Sequence, residues 1–444
     1  MAEQLTHEVL IVGGGFAGVA AATQLARDGV GVLLIDKNNY HQFQPLLYQV
    51  ATAQISVSDV ARPLRGIFRK HKQVLVRTAE VTAVDAADRS VSTADGTTYR
   101  GRILVLAAGA EVNFFDTPGA EQYTFPLYSV DDATKLASRV LGALDGADSR
   151  PNPSGSGLNV VVVGGGPTGV ETAGAIAERF KYVVPGYFSP ELARSCSVYL
   201  VDMVPTVLAP FTGKSQTYAK KRLTKIGVQL KLGVGVAEVD KDGVTLADGH
   251  KIASRIVVWA GGLKAGPMLA ASGLPQGRGG RIDVATDLTV PGFPGVYVLG
   301  DAANITDAKG RHLPQLGSVA QQAGHWAARN IKADLAGRPR EPFRYLDKGI
   351  MAMVGRGAAV AEVGAARRRL RGPPAFAAWL GVHVVLLSGL QERIGAVLSW
   401  GSDYFTHGRP QIVVGRPDAY AAGRDATVAP DPAGTPPARD PGRR

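Results

Sequence analysis

The hydrophobic pattern of the chain contains the same short element twice. The stretches EVLIVGGGFAG (Glu8–Gly18) and NVVVVGGGPTG (Asn159–Gly169) each place a run of apolar, mostly β-branched residues directly before a glycine-rich turn. Such a run predicts a buried strand, and the helix-compatible residues after each turn predict a strand–turn–helix unit. We therefore expect an α/β protein with two units that repeat one another.

Both turns have the spacing GxGxxG, formed by Gly13, Gly15 and Gly18 and by Gly164, Gly166 and Gly169. The first glycine of this motif allows a tight turn, the second lets the backbone approach a pyrophosphate, and the third lets the helix pack closely on the strand. The pyrophosphate then binds free N–H groups at a helix N-terminus. Because the chain has 55 glycines, two ordinary glycine turns in an α/β protein remain the alternative.

An acidic residue ends the second predicted strand of each unit. In the first unit, Asp36 follows Val32–Ile35 and lies 18 residues after Gly18. In the second unit, Asp202 follows Ser197–Val201. A carboxylate at this place binds the ribose hydroxyls of a dinucleotide. Two dinucleotides in one chain imply that electrons pass between them, which predicts a redox enzyme.

Each unit also ends in a closing strand that enters a turn of small residues. These strands are Ile103–Leu106 and Ile256–Trp259, and a later apolar strand, Val296–Leu299, runs into Gly300 and Asp301. An aspartate at the end of a strand can bind the ribityl chain of a flavin, or it can cap the following segment. The residues alone leave both interpretations of Asp301 open.

Apolar residues recur every three or four positions in the C-terminal region, at Phe376, Leu380, Val384, Leu387, Leu390, Ile394 and Val397. This spacing predicts one face of a helix. A basic cluster precedes it, formed by Arg367, Arg368, Arg369 and Arg371. Together they predict an amphipathic helix in a membrane interface, with Trp379 and Trp400 at the depth of the lipid headgroups. A buried or dimer-forming helix and a transmembrane span are the alternatives. Beyond Gly423 the low apolar content predicts a disordered tail.

Composition narrows the classes of function. The single cysteine, Cys196, excludes a disulfide framework and a cysteine redox pair, and the scattered histidines do not have the spacing of metal ligands. No export signal is expected from the N-terminal residues. The net charge of +11 fits an anionic membrane surface better than nucleic acid, since no nucleic-acid-binding module is recognisable. A merely basic soluble protein is the alternative.

The combined motifs resemble those of flavoprotein reductases that bind two dinucleotides. Further stretches narrow the resemblance to the type II NADH dehydrogenases, single-subunit enzymes that transfer electrons from NADH to quinone without pumping protons. These stretches are NNYHQFQPLLYQVAT (Asn38–Thr52), GGGPTGVETAG (Gly164–Gly174), PQLGSVAQQAGHWAARNI (Pro314–Ile331), LDKGIMAMVGRGAAVAE (Leu346–Glu362) and WLGVHVVLLSGLQERIGAVLSWGSDYF (Trp379–Phe405). The match extends from His7 to about Arg416.

The resemblance assigns roles to residues of this chain. The FAD side would comprise Gly13, Gly15, Gly18, Asp36, Lys37, Val81, Ala108, Asp301 and Gln321. The NADH side would comprise Gly164, Gly166, Gly169, Glu171, Asp202 and Gly261, with Asp202 favouring NADH over NADPH. The family's quinone motif AQxAxQ is matched by Ala320, Gln321 and Ala323, but its last position is His325. Glu171, Gln321 and His325 are the expected catalytic residues, and Trp379 is expected to line the quinone entrance.

The resemblance also implies two Rossmann-like domains. An FAD domain, residues 7–115 and 280–365, would be interrupted by an NADH domain, residues 116–279. A membrane-association region, residues 366–416, and the tail, residues 424–444, would follow. Hydride would pass from NADH to FAD, and two electrons would then reduce a membrane quinone. We expect a peripheral protein on the cytoplasmic face of the cell membrane, and a homodimer is left open. A soluble reductase of another acceptor and an NADH-sensing flavoprotein without rapid turnover are the alternatives.

Overall fold

The computed structural model describes residues 5–149, 158–364 and 366–406. The predicted tail, residues 424–444, lies outside these ranges, as do residues 407–416 of the predicted membrane-association region. Within the described ranges, the chain forms two large sheets flanked by helices, several smaller sheets and two C-terminal helices.

The first sheet has eight strands and buries the first glycine-turn unit. In spatial order the main strands are Thr289–Val290, Phe293–Val298, Thr98–Leu106, Leu5–Val12, Val32–Asp36 and Val74–Thr78. The last five are parallel, and the antiparallel strands Val81–Asp85 and Ser90–Thr93 extend from Thr98–Leu106. Helices Phe16–Arg27 and Gly317–Leu335 pack against one another beside this sheet. Short helices complete the unit at Gln44–Leu46, Leu47–Ala51, Val57–Val60 and Leu64–Ile67.

The second sheet repeats this plan with five parallel strands. Their order is Phe125–Pro126, Ile256–Trp259, Asn159–Val163, Ser197–Asp202 and Val228–Leu232. The long helices of the unit are Val130–Asp148, Pro167–Glu178 and Gly213–Ile226. An antiparallel meander follows, Val236–Asp240, Gly243–Leu246 and Lys251–Ala253. The predicted pair of Rossmann-like units is therefore confirmed.

A three-stranded antiparallel sheet follows the two units along the chain. Its strands are Gly349–Met353, Ala359–Val363 and Arg368–Gly372. Buried residues of its first two strands, including Ala352 and Val360, belong to the same hydrophobic core as the second parallel sheet. The sheet therefore packs on the expected NADH unit, although its first two strands lie in the segment assigned to the FAD domain and its third lies in the predicted membrane-association region. The domain boundaries stay a prediction.

The C-terminal region forms two helices, Pro373–Leu386 and Leu390–Thr406, so the prediction of one continuous helix across Phe376–Val397 was wrong. Leu387 leaves the helical conformation, with φ −58° and ψ 136°. The carbonyl oxygens freed at the break are satisfied by side chains: Arg393 donates to Val385 and Leu387 at 2.8 and 3.0 Å, and Arg62 donates to Ser388. In the described ranges no helix combines the length and apolar character needed to cross a bilayer.

Candidate functional site

The two glycine turns have matching local geometry. Gly13 and Gly164 have φ values of +105° and +108°, a region that L side chains rarely adopt. A Cβ on Gly13 would clash with the carbonyl oxygen of Ala107, and one on Gly164 would clash with that of Ala260. Each closing strand therefore comes so close to its turn that only glycine fits.

The remaining motif glycines divide into a tight and an open position. A Cβ on Gly18 or Gly169 would clash with the carbonyl oxygen of the first glycine of its own turn. A Cβ on Gly15 or Gly166 would meet no atom within 4 Å. These two are the N-caps of helices Phe16–Arg27 and Pro167–Glu178. The open space in front of both helix N-termini fits a pyrophosphate at each turn.

Asp36 closes the first turn through both carboxylate oxygens. They accept hydrogen bonds from the N–H groups of Gly14 at 2.6 Å and Asn38 at 2.7 Å. Burial raises the pKa of Asp36, while these two donors and the neighbouring Lys37 act in the opposite direction. Lys37 itself is exposed, and Val81 begins a strand next to this edge of the sheet. The arrangement leaves Asp36 at the place expected for a ribose-binding acid.

Asp202 has the same relation to the second turn. One carboxylate oxygen accepts a hydrogen bond from the N–H of Gly165, and the other accepts one from Val204 at 2.7 Å. Gly261 lies at the end of the neighbouring strand, where a Cβ would approach the indole of Trp259. The second unit therefore repeats the first in this detail as well, since Asp202, like Asp36, binds the N–H of the middle glycine of its turn.

Asp301 lies in the 3-10 turn Gly300–Ala302, at the end of the strand Phe293–Val298. No side-chain cap is formed there, which disfavours the capping interpretation. Its carboxylate accepts a hydrogen bond from the Tyr128 hydroxyl at 3.4 Å. Burial raises the pKa of Asp301, opposed by this hydrogen bond and by the charge of Arg281. Tyr128 also accepts from the N–H of Ala110 at 3.2 Å, two residues beyond the exposed Ala108. Asp301 is thus held beside the first closing turn, where a ribityl chain would run.

Gln321 and His325 are half-buried on helix Gly317–Leu335, one turn apart. Burial lowers the pKa of His325, and the charges of Arg27 and Arg329 lower it further. Neither residue lines the cavity that contains Glu171, described next. The structure therefore separates these two predicted catalytic residues from the third.

Glu171 is buried on helix Pro167–Glu178, five residues after the N-cap Gly166. Its carboxylate accepts a hydrogen bond from the Met353 N–H at 3.0 Å. Burial raises the pKa of Glu171 to about 8, opposed by that donor and by the Trp379 indole. A carboxyl with this pKa is mostly protonated at neutral pH, so it does not act as a negative charge at the helix N-terminus.

The Glu171 side chain lines a cavity of about 50 Å³ beneath the C-terminal helices. Aromatic and apolar walls come from Tyr48, Phe376, Leu380, Trp400 and Tyr404. Polar groups line it as well, from Gln49, Glu178, Arg356 and Asp403. Such a cavity, apolar with a few polar groups, is typical of a small-molecule site.

Trp379 does not occupy its predicted place. The side chain is fully buried and stacks on His383 with ring centroids 3.8 Å apart, so the prediction of headgroup depth was wrong for this residue. Trp400 lines the cavity, half-buried. The predicted depth is wrong because the helix that carries Trp379 packs the indole inward against Tyr48, a residue of the first unit.

Several residues of the site were missed by the sequence analysis, namely Tyr48, Gln49, Tyr128, Met353 and Arg356. Tyr48 and Gln49 lie in the stretch Asn38–Thr52, and Met353 and Arg356 lie in Leu346–Glu362, both of which carried the family resemblance. The signal was therefore present as a motif, but no pattern assigned individual roles. Tyr128 lies outside every stretch that was singled out.

The chain is similar to known proteins in sequence and in fold. Residues 7–324 match the model of the pyridine nucleotide-disulphide oxidoreductase family. The type II NADH:quinone oxidoreductase Ndh of Mycobacterium tuberculosis is 37% identical over 434 residues, covering 94% of this chain and 92% of the relative. The corresponding enzyme of Staphylococcus saprophyticus is 29% identical, covering 78% and 87%.

A solved structure of NDH2 from Plasmodium falciparum in complex with NADH has the same fold. It is 19% identical, with a TM-score of 0.84 over 92% of this chain and 100% of that chain. The family match, the sequence similarity along nearly the whole chain and the duplicated dinucleotide turns indicate the same family. The chain belongs to the type II NADH:quinone oxidoreductases of the pyridine nucleotide-disulphide oxidoreductase family.

Proposed function

We propose that this protein is a non-proton-pumping NADH:quinone oxidoreductase in which the Glu171 cavity receives the quinone. One observation carries the proposal. The helix Pro167–Glu178 begins at the NADH turn and places a protonated carboxyl, Glu171, in an aromatic-walled cavity. A single helix thus connects the nucleotide turn with a site suited to a second substrate.

The cavity chemistry fits a quinone. Flat aromatic walls from Tyr48, Phe376 and Trp400 suit a planar ring. A quinone takes up two protons together with two electrons, so its oxygens need a nearby acid. Glu171, with a pKa of about 8, is protonated at neutral pH and can donate a proton to a quinone oxygen. The role of Glu171 is therefore general acid.

The two turns hold the nucleotides. Gly13, Gly15 and Gly18 would bind the FAD pyrophosphate, and Asp36 and Asp301 would accept hydrogen bonds from ribose and ribityl hydroxyls. FAD, when bound, supplies electron transfer between a nicotinamide and a quinone. Gly164, Gly166, Gly169 and Asp202 would bind NADH in the equivalent way, with Asp202 disfavouring a 2′-phosphate.

The residues of helix Gly317–Leu335 have a different place in the proposal. Gln321 lies at its first turns, close to the position of Asp301, since Gly300 packs against Ala320. We assign Gln321 to the flavin site, outside the Glu171 cavity. His325, one turn further on, faces the charges of Arg27 and Arg329, and we assign it a supporting role near that site.

A membrane surface is the proposed source of the quinone. The C-terminal helices expose the large apolar side chains Val382, Val385, Leu386, Leu390, Ile394, Val397 and Leu398. The adjoining edge strand exposes the basic residues Arg368, Arg369 and Arg371, while Arg367 is paired with Asp347. Exposed apolar side chains beside cations fit peripheral binding to an anionic leaflet, which we place on the cytoplasmic face. A homodimer formed through the same helices is the competing occupant of this surface.

Steady-state turnover with NADH and a soluble short-chain quinone tests the proposal. The FAD-loaded wild-type protein should oxidise NADH only when quinone is present. Glu171→Gln should lower quinone turnover at least tenfold, because the amide cannot act as an acid. Glu191→Gln, at an exposed carboxylate of the same unit, is the matched control. Equal rates in the two variants would remove Glu171 from the reaction.

A further inference from the structure

Glu171, Ala175 and Glu178 lie on one face of helix Pro167–Glu178, and all three line the same cavity. Steps of four and three residues bring side chains to one side of an α-helix. The two glutamates are therefore two turns apart, about 10 Å along the helix axis. Between them the cavity is lined by Ala175, whose side chain is a single methyl group. The cavity thus connects two acids of one helix.

The hairpin that packs on this helix binds both acids in the same way. Glu178 accepts a hydrogen bond from the Arg356 N–H at 2.5 Å, as Glu171 accepts one from the Met353 N–H at 3.0 Å. Met353 ends the strand Gly349–Met353, and Arg356 lies in the turn that follows it. Both glutamates are buried. Neighbouring backbone donors therefore hold the two carboxyls at fixed places along the cavity.

Other ionisable groups surround Glu178 or line the same cavity. The Arg222 guanidinium, on helix Gly213–Ile226, lies 3.8 Å from the Glu178 carboxylate and donates to the Arg356 carbonyl at 2.9 Å. The remaining groups are Glu171 on the same helix, Arg356 in the hairpin turn, Tyr48 on helix Leu47–Ala51, and Asp403 and Tyr404 on the last helix. A Glu178→Gln substitution leaves all of these groups in place. A change in proton transfer can then be attributed to the Glu178 carboxyl.

The lining of the cavity includes residues that reach solvent. Gln54, Arg356 and Asp403 are half-buried, and Tyr404 is 49% exposed. The cavity volume of about 50 Å³ exceeds the roughly 10–15 Å³ that one water molecule needs, and its polar groups can bind water. A proton from solvent therefore has a polar way into the cavity that contains the buried Glu171.

The proposed reaction needs such a proton in every turnover. NADH, one proton and a quinone give NAD⁺ and a quinol, so one proton is taken from solution. When Glu171 acts as the acid, the O–H bond of its carboxyl breaks and an O–H bond forms on the quinone, while FAD supplies the electrons. Glu171 is then a buried carboxylate. It has to regain a proton from a donor within hydrogen-bond reach, directly or through water, before the next turnover.

We propose that Glu178 relays this proton from solvent to Glu171 through water beside Ala175. The inference rests on the proposed function, in which Glu171 donates a proton to the quinone, and adds the route by which that acid is restored. An O–H bond forms on Glu178 when it takes a proton from water, and the same bond breaks when the proton moves on to the Glu171 carboxylate. Glu178 ends each cycle unchanged, and no electrons pass through it.

The test is Glu178→Gln in the FAD-loaded enzyme. The amide oxygen still accepts the Arg356 N–H, so the contact with the hairpin is kept, but the amide cannot carry a proton. Turnover with a short soluble quinone should fall about tenfold or more, as for loss of a proton-transfer group. The solvent deuterium isotope effect on kcat should increase, while stopped-flow reduction of FAD by NADH without quinone should be unchanged. Formate buffer should partly restore turnover, because formic acid is a small proton donor.

Glu362→Gln is the matched control, at a buried carboxylate that binds Thr212 and Ser215 and does not line the cavity. It should show the wild-type isotope effect and no response to formate. The two hypotheses fail differently. Wild-type turnover in Glu171→Gln would contradict the proposed function. Slow turnover in Glu171→Gln together with wild-type turnover and isotope effect in Glu178→Gln would overturn the relay alone.

A second variant serves if Glu178→Gln does not yield holoenzyme. Ala175→Val keeps both carboxyls and fills the space between them, since Ala175 lines the cavity. It should lower kcat and increase the solvent isotope effect, with reduction of FAD by NADH unchanged. A higher KM for the quinone without a larger isotope effect would mean that the valine only obstructs the substrate, and would overturn the relay through this space.

Discussion

Trp400 donates its indole N–H to the side-chain oxygen of Gln49 at 2.7 Å, and this bond joins the last helix to a short helix of the first unit. Gln49 is buried and also donates to the Tyr48 hydroxyl at 3.0 Å. The C-terminal helices are therefore not a separate anchor appended to the enzyme. They form one wall of the Glu171 cavity, and polar contacts with the first unit fix that wall in place.

Loss of the Trp400 donor should destabilise this wall. Trp400→Phe leaves the buried Gln49 oxygen without its partner, which costs about 1–3 kcal/mol. We expect thermal unfolding of the holoenzyme at lower temperature than for Trp326→Phe, whose indole bonds at a more exposed place. Equal melting temperatures for the two variants would show that the Trp400–Gln49 bond contributes no stability.

Asp301 should govern flavin retention. Asp301→Ala removes the carboxylate that Tyr128 holds, and we expect the dissociation constant for FAD to rise at least about tenfold. Asp301→Asn should lose less, because the amide oxygen still accepts a hydrogen bond. The measurement is flavin absorbance per protein after dialysis, with Asp307→Ala, in the turn that Asp307 forms with Lys309 and Arg311, as control. Full retention in Asp301→Ala would exclude this residue from the flavin site.

Asp202 should set the choice of nucleotide. Replacement by Ser removes hydrogen bonds to the adenosine ribose and the repulsion of a 2′-phosphate, so kcat/KM for NADH should fall about ten- to a hundredfold. The ratio of NADH to NADPH activity should narrow accordingly. Asp248→Ser, in an exposed turn of the same unit, should leave the ratio as it is. A wild-type ratio in Asp202→Ser would mean that the Asp202 carboxylate binds only the backbone N–H groups of Gly165 and Val204.

Glu171 should also make stability depend on pH. Its pKa rises from 4.5 in the unfolded chain to about 8 in the folded protein, so the folded state binds the proton more tightly. The resulting stability is fully present below pH 4.5 and is lost as pH rises through about 8. The slope attributable to this group is at most about 1.4 kcal/mol per pH unit. Glu171→Gln should therefore gain stability relative to the wild type between those pH values, measured by chemical unfolding. A difference that does not change with pH would place the true pKa near its ordinary value.

Membrane binding should depend on the exposed apolar side chains. Val385 and Leu398 are 69% and 67% exposed, so Val385→Ser with Leu398→Ser removes apolar surface without opening the core. Each such side chain contributes about 1.5–3 kcal/mol when it leaves water. We expect at least a tenfold loss of binding to anionic vesicles in co-sedimentation. Leu346→Ser, also 67% exposed but far along the chain from these helices, is the control. If the helices instead form a homodimer, the double variant should weaken dimer formation and leave vesicle binding unchanged.

The glycine turns were predictable because their geometry is local. The positive φ of Gly13 and Gly164 and the close approach of each closing strand follow from spacing that repeats along the chain. The acids Asp36 and Asp202 were found because each ends the second predicted strand of its unit, and each accepts a hydrogen bond from a backbone N–H of its glycine turn. The roles assigned to these residues stay predictions that the experiments above address.

The cavity was not predictable, because segments far apart in sequence build it. Glu171 owes its raised pKa to burial, and the cavity that it lines also takes residues from Met353 to Tyr404, about two hundred residues further along the chain. The break between the C-terminal helices depends on Arg62 and Arg393, whose donors satisfy the exposed carbonyls. Helical periodicity continues across that break, so the apolar pattern alone predicted one helix, and Trp379 was placed at headgroup depth.

Glu171 lies five residues after Gly166 on the same helix, so the position of the glycine turn fixes the direction in which the Glu171 side chain points. An α-helix rotates by about 100° for each residue. One residue inserted or deleted within this spacing would leave the glycine motif readable while swinging the carboxyl out of the cavity. A dinucleotide turn grafted from another protein would therefore have to keep the number of residues between its second glycine and the carboxyl. Exchange of the nucleotide-binding turn is thus limited by the need to keep Glu171 in the cavity.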